Sequence, residues 1–314
     1  MSHTVIRRTE MVGASLNLGG QPLDLTEYST TGLMALAVGP RGFGKTNAGL
    51  LMAEQLSEQG WVSVLIDPEG ELESVYGAAV ADAEELRQRL TLRDVPIVVV
   101  SAKDALDFIP YGQVILEVAD ELRKPLFVCI DEGQLFSAAR KRADGVGEAC
   151  DIIAQFAERG RKRALDLFVT ALRYTGTLHR TMFSNSNLKL VGAQEDPTAW
   201  SALAPMFRSS GIEFKDLNAL GPGEFVLFSR RGIEKTKMPM AEGLKKVAPK
   251  AKPVKRTLPA TFSQWDRAMR EIPTERLEAL TDPVVSLLGA VAGLVPQQML
   301  AGARALGDEL EARA

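Results

Sequence analysis

The sequence predicts an α/β fold: a mainly parallel β-sheet flanked by helices, preceded by a small β element and followed by a helical tail. Three observations carry this expectation. Short apolar, β-branched runs alternate with stretches of helical period between residues 33 and 191. The run at 33–38 leads directly into the glycine-rich segment Gly39-Pro40-Arg41-Gly42-Phe43-Gly44-Lys45-Thr46, after which a helix is expected. A further apolar run, Leu126-Phe127-Val128-Cys129-Ile130, ends in two carboxylates, Asp131 and Glu132.

Each element has its own signal. Leu16, Leu18, Leu23 and Leu25 alternate around Gly19-Gly20 as a hairpin does, so residues 1–30 read as a small β element. Strands are expected at 33–38, 62–66 (closed by Asp67), 95–100, 126–130, 167–170 and 188–191. Helices are expected at 45–59, 79–90, 114–122 and 145–159. The run at 95–100 is apolar throughout, as a strand buried on both faces requires. In such a sheet, functional residues collect at the carboxyl ends of the strands. After about residue 228 the character changes. Residues 231–258 read as a Lys/Pro-rich linker and 259–314 as a helical tail divided by Pro273, Pro283 and Pro296, which leaves 31–230 as the main domain.

Composition excludes several classes. Hydrophobic residues are 46% and charged residues 25% of 314, an ordinary balance for a chain with a full core. Two cysteines, Cys129 and Cys150, cannot make a disulfide framework or a four-cysteine zinc site, and two histidines, His3 and His179, leave little for a His-rich one. The net charge of −3 conceals an asymmetry: residues 230–256 carry +8, which leaves −11 on the rest. A local basic stretch on an acidic chain points to a partner. No secretory signal opens the chain, and the longest apolar stretch, residues 284–295, is too short to cross a bilayer. The expected location is cytoplasmic, or virion-associated for a phage-encoded chain.

The segment 39–46 fits G-x-x-x-x-G-K-[ST], whose chemistry is specific to phosphate. Its glycines let the backbone turn N–H groups inward, and the following helix N-terminus adds partial positive charge. Lys45 is then the residue that reaches the β- and γ-phosphates, and the Thr46 hydroxyl a ligand of Mg²⁺. ATP and Mg²⁺ are the expected ligands. The candidate nucleotide-binding residues are Gly39, Pro40, Arg41, Gly42, Phe43, Gly44, Lys45, Thr46, Asn47 and Asp67. Asp131 is the candidate for holding Mg²⁺ through water, and Glu132 for polarising the attacking water. Adjacent Asp and Glu favour a hydrolysing ATPase over a small-molecule kinase.

Several segments together resemble the HerA/FtsK superfamily of ring-forming, DNA-pumping ATPases. Ile66-Asp67-Pro68-Glu69-Gly70-Glu71 is similar to its D-P-x-G-E segment. Gly160-Arg161-Lys162-Arg163 and the strand beyond are similar to its G-R-K-Y-G segment, and Leu220-Gly221-Pro222-Gly223-Glu224 to its late L-x-x-x-G-E turn. The resemblance covers residues 16–230 and implies a RecA-like P-loop fold. It also implies ATP hydrolysis, a homo-oligomeric ring, usually a hexamer, and a trans-acting arginine, for which Arg161 is the first candidate and Arg159 and Arg173 are alternatives. One departure stands out. Leu172 occupies the place of the family's polar sensor, with Thr170, Asn185 or Asn187 as substitutes. The short architecture is similar to genome-packaging ATPases of membrane-containing phages.

The resulting expectation is an ATPase that moves double-stranded DNA through a ring. The alternatives are a protein-moving ATPase of secretion or conjugation systems and a nucleotide-binding scaffold with little hydrolysis. DNA contacts are sought in the 230–256 stretch, in Arg140-Lys141-Arg142 and in the 174–180 loop. The 284–306 stripe is the candidate contact with a neighbouring subunit, a capsid or a membrane surface.

Overall fold

The computed structural model describes residues 13–139, 144–174 and 176–246, without the side chains of Arg159, Arg161 and Lys246. The expected contacts of Arg140-Lys141-Arg142 and of the 284–306 stripe lie outside the described residues, as does the tail.

One eight-stranded sheet organises the chain. At its centre is β3 (Met34–Val38), paired in parallel with β7 (Leu165–Ala171) on one side and β8 (Leu188–Val191) on the other. Beyond β7 come β6 (Leu126–Ile130), β4 (Val62–Asp67) and β5 (Ile97–Ser101), all parallel. Beyond β8 the direction reverses: β9 (Glu224–Ser229) and β10 (Gly232–Lys237) are each antiparallel to their neighbour. The expected mainly parallel α/β sheet is therefore present.

The strands read as unbroken apolar runs because both faces are covered. Their side chains still alternate. Met34, Leu36 and Val38 of β3 join the core under α3 (Ala83–Leu92), α4 (Ala105–Leu122) and α5 (Val146–Arg163). Ala35 and Ala37 join the opposite core with α1 (Lys45–Glu58). That face is built for close approach. A Cβ on Gly49 of α1 would stand 2.6 Å from Cys129 Sγ and 2.8 Å from the Phe168 ring.

Two helices start away from the expected residues, because their caps decide it. Asp82 accepts the Glu85 N–H, so α3 starts at Ala83 and not at 79. Asp104 accepts the N–H groups of Leu106 and Asp107, so α4 starts nine residues before the expected 114 and carries Pro110 within it. The N-terminal hairpin is present as β1 (Ser15–Leu16) against β2 (Leu23–Asp24). It is no separate unit: Leu16, Leu18, Leu23 and Leu25 are buried in the α1-side core.

The boundary near residue 230 is corrected. Residues 232–237, read as linker, are the sheet's last strand, and α9 (Glu242–Lys246) follows. Lysines obscured the strand's alternation, yet Thr236 is buried and its hydroxyl donates to Leu18 O at 2.6 Å. Much of the local positive charge is answered within the domain. Arg231 pairs with Glu27 at 2.6 Å, Lys235 with Asp216 at 3.3 Å and Lys237 with Glu224 at 3.9 Å. Arg230 lies over the Tyr28 ring, 5.4 Å from its centroid.

Candidate active site

The glycine-rich loop leaves the carboxyl end of β3 and closes into α1. Gly42 and Gly44 take positive φ, +73° and +92°, a conformation that residues with a Cβ rarely adopt. Gly44 is the N-cap of α1 and has no side chain to satisfy the first-turn amides, and that turn holds no acidic residue. The first-turn amides and the positive end of the helix dipole are groups that suit an anion.

Lys45 is 5% exposed, and its Nζ donates to Pro40 O at 2.9 Å across the loop. Burial pulls its pKa below the usual lysine value; Glu132 and Asp131 oppose that shift, and Arg41 adds to it. A cation so desolvated gains from an incoming polyanion.

β7 lies between the loop strand and β6, yet the two halves of the site touch. Thr46 Oγ1 donates to Asp131 Oδ2 at 2.8 Å. Thr170, on the intervening strand, donates to Asp131 Oδ1 at 2.6 Å and accepts the Glu132 amide N–H at 2.9 Å. Glu132 itself is left-handed, with φ 47° and ψ 44°, a conformation that costs about 1–2 kcal/mol for a residue with a Cβ. Gln134 Nε2 donates to its carboxylate. Gly133 must follow, because a Cβ there would lie 2.3 Å from Val169 Cγ1. The sharp turn thus presents a carboxylate at the end of β6, beside Asp131.

Those residues fit a magnesium ion held jointly with phosphate. A hydroxyl and one carboxylate oxygen converge, which is the small protein share that Mg²⁺ usually takes beside substrate oxygens. Thr46 and Asp131 would hold it.

Several other expected nucleotide contacts are bonded within the chain. The Phe43 ring is buried edge-on to Phe225, with centroids 6.1 Å apart, and its carbonyl accepts the Gly223 N–H at 3.0 Å. That side chain pins the loop, and only its backbone is left for a ligand. Asn47 turns its amide to a distant segment, donating to Pro239 O at 2.8 Å and accepting the Ala241 N–H at 2.9 Å. Asp67 is buried, and its carboxylate accepts the amides of Glu69, Gly70 and Leu72. It shapes the Asp-Pro-Glu-Gly turn. Arg41 is exposed on the loop.

The sensor question narrows. Leu172 follows β7 at the site, with no polar group to offer, and Thr170 is committed to Asp131 and Glu132. Asn185 and Asn187 lie at the start of β8, the opposite end of the sheet, and Asn187 bonds Met34 N–H and Gly32 O there. Sequence reading missed Gln194. It follows β8 on the loop's side of the sheet, is buried, and donates to Ala193 O at 2.9 Å. A polar residue just past a strand's carboxyl end was the available signal.

The backbone of Arg161 lies in the last turn of α5, two residues before that helix ends and β7 begins. That is the far end of the sheet from its own phosphate loop. Arg163 is bound by Asp120. Arg173 is exposed just past the carboxyl end of β7, on the loop's side.

No family model and no curated protein sequence matches the chain. Solved structures do. The genome packaging NTPase B204 of Sulfolobus turreted icosahedral virus 2, in complex with AMPPCP, is 15% identical with a TM-score of 0.51; the match covers 67% of this chain and 100% of that one. B204 of Sulfolobus turreted icosahedral virus, described as a DNA-packaging ATPase, is 14% identical with a TM-score of 0.50, covering 65% and 97%. VirB4 of Thermoanaerobacter pseudethanolicus is 12% identical with a TM-score of 0.54, covering 73% and 98%. At such identities the likeness is one of fold alone.

Proposed function

We propose that the chain binds ATP with Mg²⁺, hydrolyses it, and uses the cycle to move double-stranded DNA through a homo-oligomeric ring. The observation that carries the hydrolytic part is the continuous bonding Thr46–Asp131–Thr170–Glu132, which ties a phosphate loop to a carboxylate aimed from the next strand but one.

In this reading the loop amides and the N-terminus of α1 bind the phosphates, and Lys45 exchanges Pro40 O for phosphate oxygens. Mg²⁺, when bound, would neutralise phosphate charge. Thr46 and Asp131 would hold it. Glu132 accepts a proton from the attacking water, held in place by its own left-handed turn and by Thr170 through the backbone. Arg161 acts on the site of a second copy, since within one chain it sits at the wrong end of the sheet.

Support for DNA as the moved polymer comes from the neighbours described as genome packaging NTPase and DNA-packaging ATPase. A hexamer is the ring the sequence resemblance implies. A second reading, a nucleotide-binding scaffold with slow turnover, draws on Leu172 in the sensor's place. No described helix is long and apolar enough to cross a membrane.

The deciding experiment is the steady-state ATPase rate with and without duplex DNA at two salt concentrations, with Glu132→Gln as the blank. Salt-sensitive stimulation by duplex is expected, since phosphate contacts release counterions. A rate indifferent to DNA removes the DNA motor in favour of a protein-moving ATPase. A wild-type rate equal to that of Glu132→Gln leaves the scaffold.

A further inference from the structure

The bonding around α1 gives the site a direction. Thr46 faces β6 and donates to Asp131. Asn47, the next residue and so turned about 100° round the helix, holds residues 239–241. Those residues leave β10, on the other side of β3 from β6. A triphosphate with its γ end at Asp131 and Glu132 therefore carries its nucleoside toward the 239–241 side.

That side is apolar and firmly held. Met238 N–H donates to Gly223 O at 2.8 Å, and Gly223 N–H to Phe43 O at 3.0 Å, so the 221–223 turn, the 238–241 segment and the phosphate loop are bonded together. Met238 and Ala241 are buried. Met240, between them, is 52% exposed, one of four large apolar side chains standing out among the described residues. Pro222 is exposed on the adjoining turn. An anchored backbone here displays an apolar side chain to solvent beside the nucleotide helix.

We propose that Met240, with Pro239 and Pro222, is the platform on which the purine ring of the bound nucleotide lies. The inference rests on the reading of residues 39–46 as a nucleotide site and adds the base to it. A thioether is polarisable and packs well on an aromatic ring, and the two prolines add rigid apolar surface. None of the three side chains carries a hydrogen-bond donor, and the thioether is only a weak acceptor. The platform therefore accepts a purine by shape and apolar contact, and it distinguishes adenine from guanine weakly.

Calorimetric titration of the full chain, with Mg²⁺, tests this. ATP and inorganic tripolyphosphate are the two probes, against wild type, Met240→Ser and Met240→Leu. Met240→Ser is expected to weaken ATP by roughly fivefold to tenfold while tripolyphosphate binds as before; Met240→Leu keeps ATP affinity within about twofold. Unchanged thermal midpoints confirm that the exposed substitutions leave the fold intact. Equal loss for both probes, or no loss of ATP affinity in Met240→Ser, overturns the platform. Wild type that binds both probes with the same affinity overturns the platform alone, and wild type that binds neither overturns the nucleotide site and the platform together.

Discussion

Thr170 donates its hydroxyl proton to Asp131 Oδ1 at 2.6 Å, from one buried strand to the next. The Thr170 hydroxyl oxygen in turn accepts the amide N–H of Glu132. One side chain thus fixes both a carboxylate's rotamer and a neighbouring carboxylate's backbone. Neither bond involves substrate, so Thr170 is a positioning residue.

Replacement by valine keeps the shape and removes both bonds. Thr170→Val is expected to lower kcat by about tenfold to a hundredfold, the usual range for a lost outer-shell partner, with apparent Mg²⁺ affinity falling as well. Thr170→Ser keeps the hydroxyl and should keep most of the rate. Equal losses in the two variants would mean that packing, not the hydroxyl, matters. Kinetics at varied Mg²⁺ is the measurement.

Lys45 gives a pH signature. Burial lowers its pKa in the folded chain below the ordinary value of 10.5, so the unfolded chain binds the proton more tightly. Stability must then rise with pH across the window below 10.5. The nucleotide-free wild type is expected to gain thermal midpoint there relative to Lys45→Met, and saturating ATP should flatten the difference because phosphate restores the charged form. Lys45→Ala should abolish turnover. Parallel pH profiles for wild type and Lys45→Met would contradict the buried, charged lysine.

Gly49→Ala sets two effects against each other. A helical alanine gains up to about 1 kcal/mol over glycine. Its Cβ, however, would meet Cys129 Sγ at 2.6 Å and Phe168 atoms at 2.8 and 2.9 Å. Overpacking of this kind costs about 1–3 kcal/mol, and the contacts are with β6 and β7, which cannot retreat. The net expectation is a destabilised protein, seen as a lower denaturation midpoint; a raised midpoint would show that α1 has room to shift.

Arg161→Ala is expected to lose about a thousandfold in hydrolysis while nucleotide affinity stays within about twofold. In mixtures with wild type, the rate should fall more steeply than the wild-type fraction, because each lost arginine silences a neighbour's site. A strictly proportional fall would show that Arg161 acts within its own chain or not at all.

Local patterns made much of this legible in the sequence. The phosphate loop is eight consecutive residues, and the Asp-Glu pair follows directly on a buried strand, so both stand out without any knowledge of contacts. The six parallel strands are apolar runs for the same reason. What stayed hidden depends on partners far along the chain. Asn47 and Phe43 sit in or beside a phosphate motif, and only the fold shows their side chains turned to residues near 240 and 225. Asp67 stands at a strand end as a ligand would, and only the fold shows the three nearby amides that it accepts. β10 was concealed by charge, since lysines on an edge strand look like a linker until Asp216 and Glu224 are seen beside them. Thr170 is a possible sensor by sequence, and the fold shows its hydroxyl bonded to Asp131 and to the Glu132 amide.

The bonds that join Phe43 O to Gly223, Gly223 O to Met238, and Asn47 to Pro239 and Ala241 return to the helix they started from. Glu54, two turns along α1, extends the circuit by accepting the amides of Glu242 and Gly243. A closed circuit cannot open one bond at a time without straining the rest. The amides of Gly223, Met238, Ala241 and Gly243 should therefore exchange with deuterium as one cooperative group. Filling the phosphate loop should slow all four together, so that solvent exchange near residue 240 reads out events at residue 43.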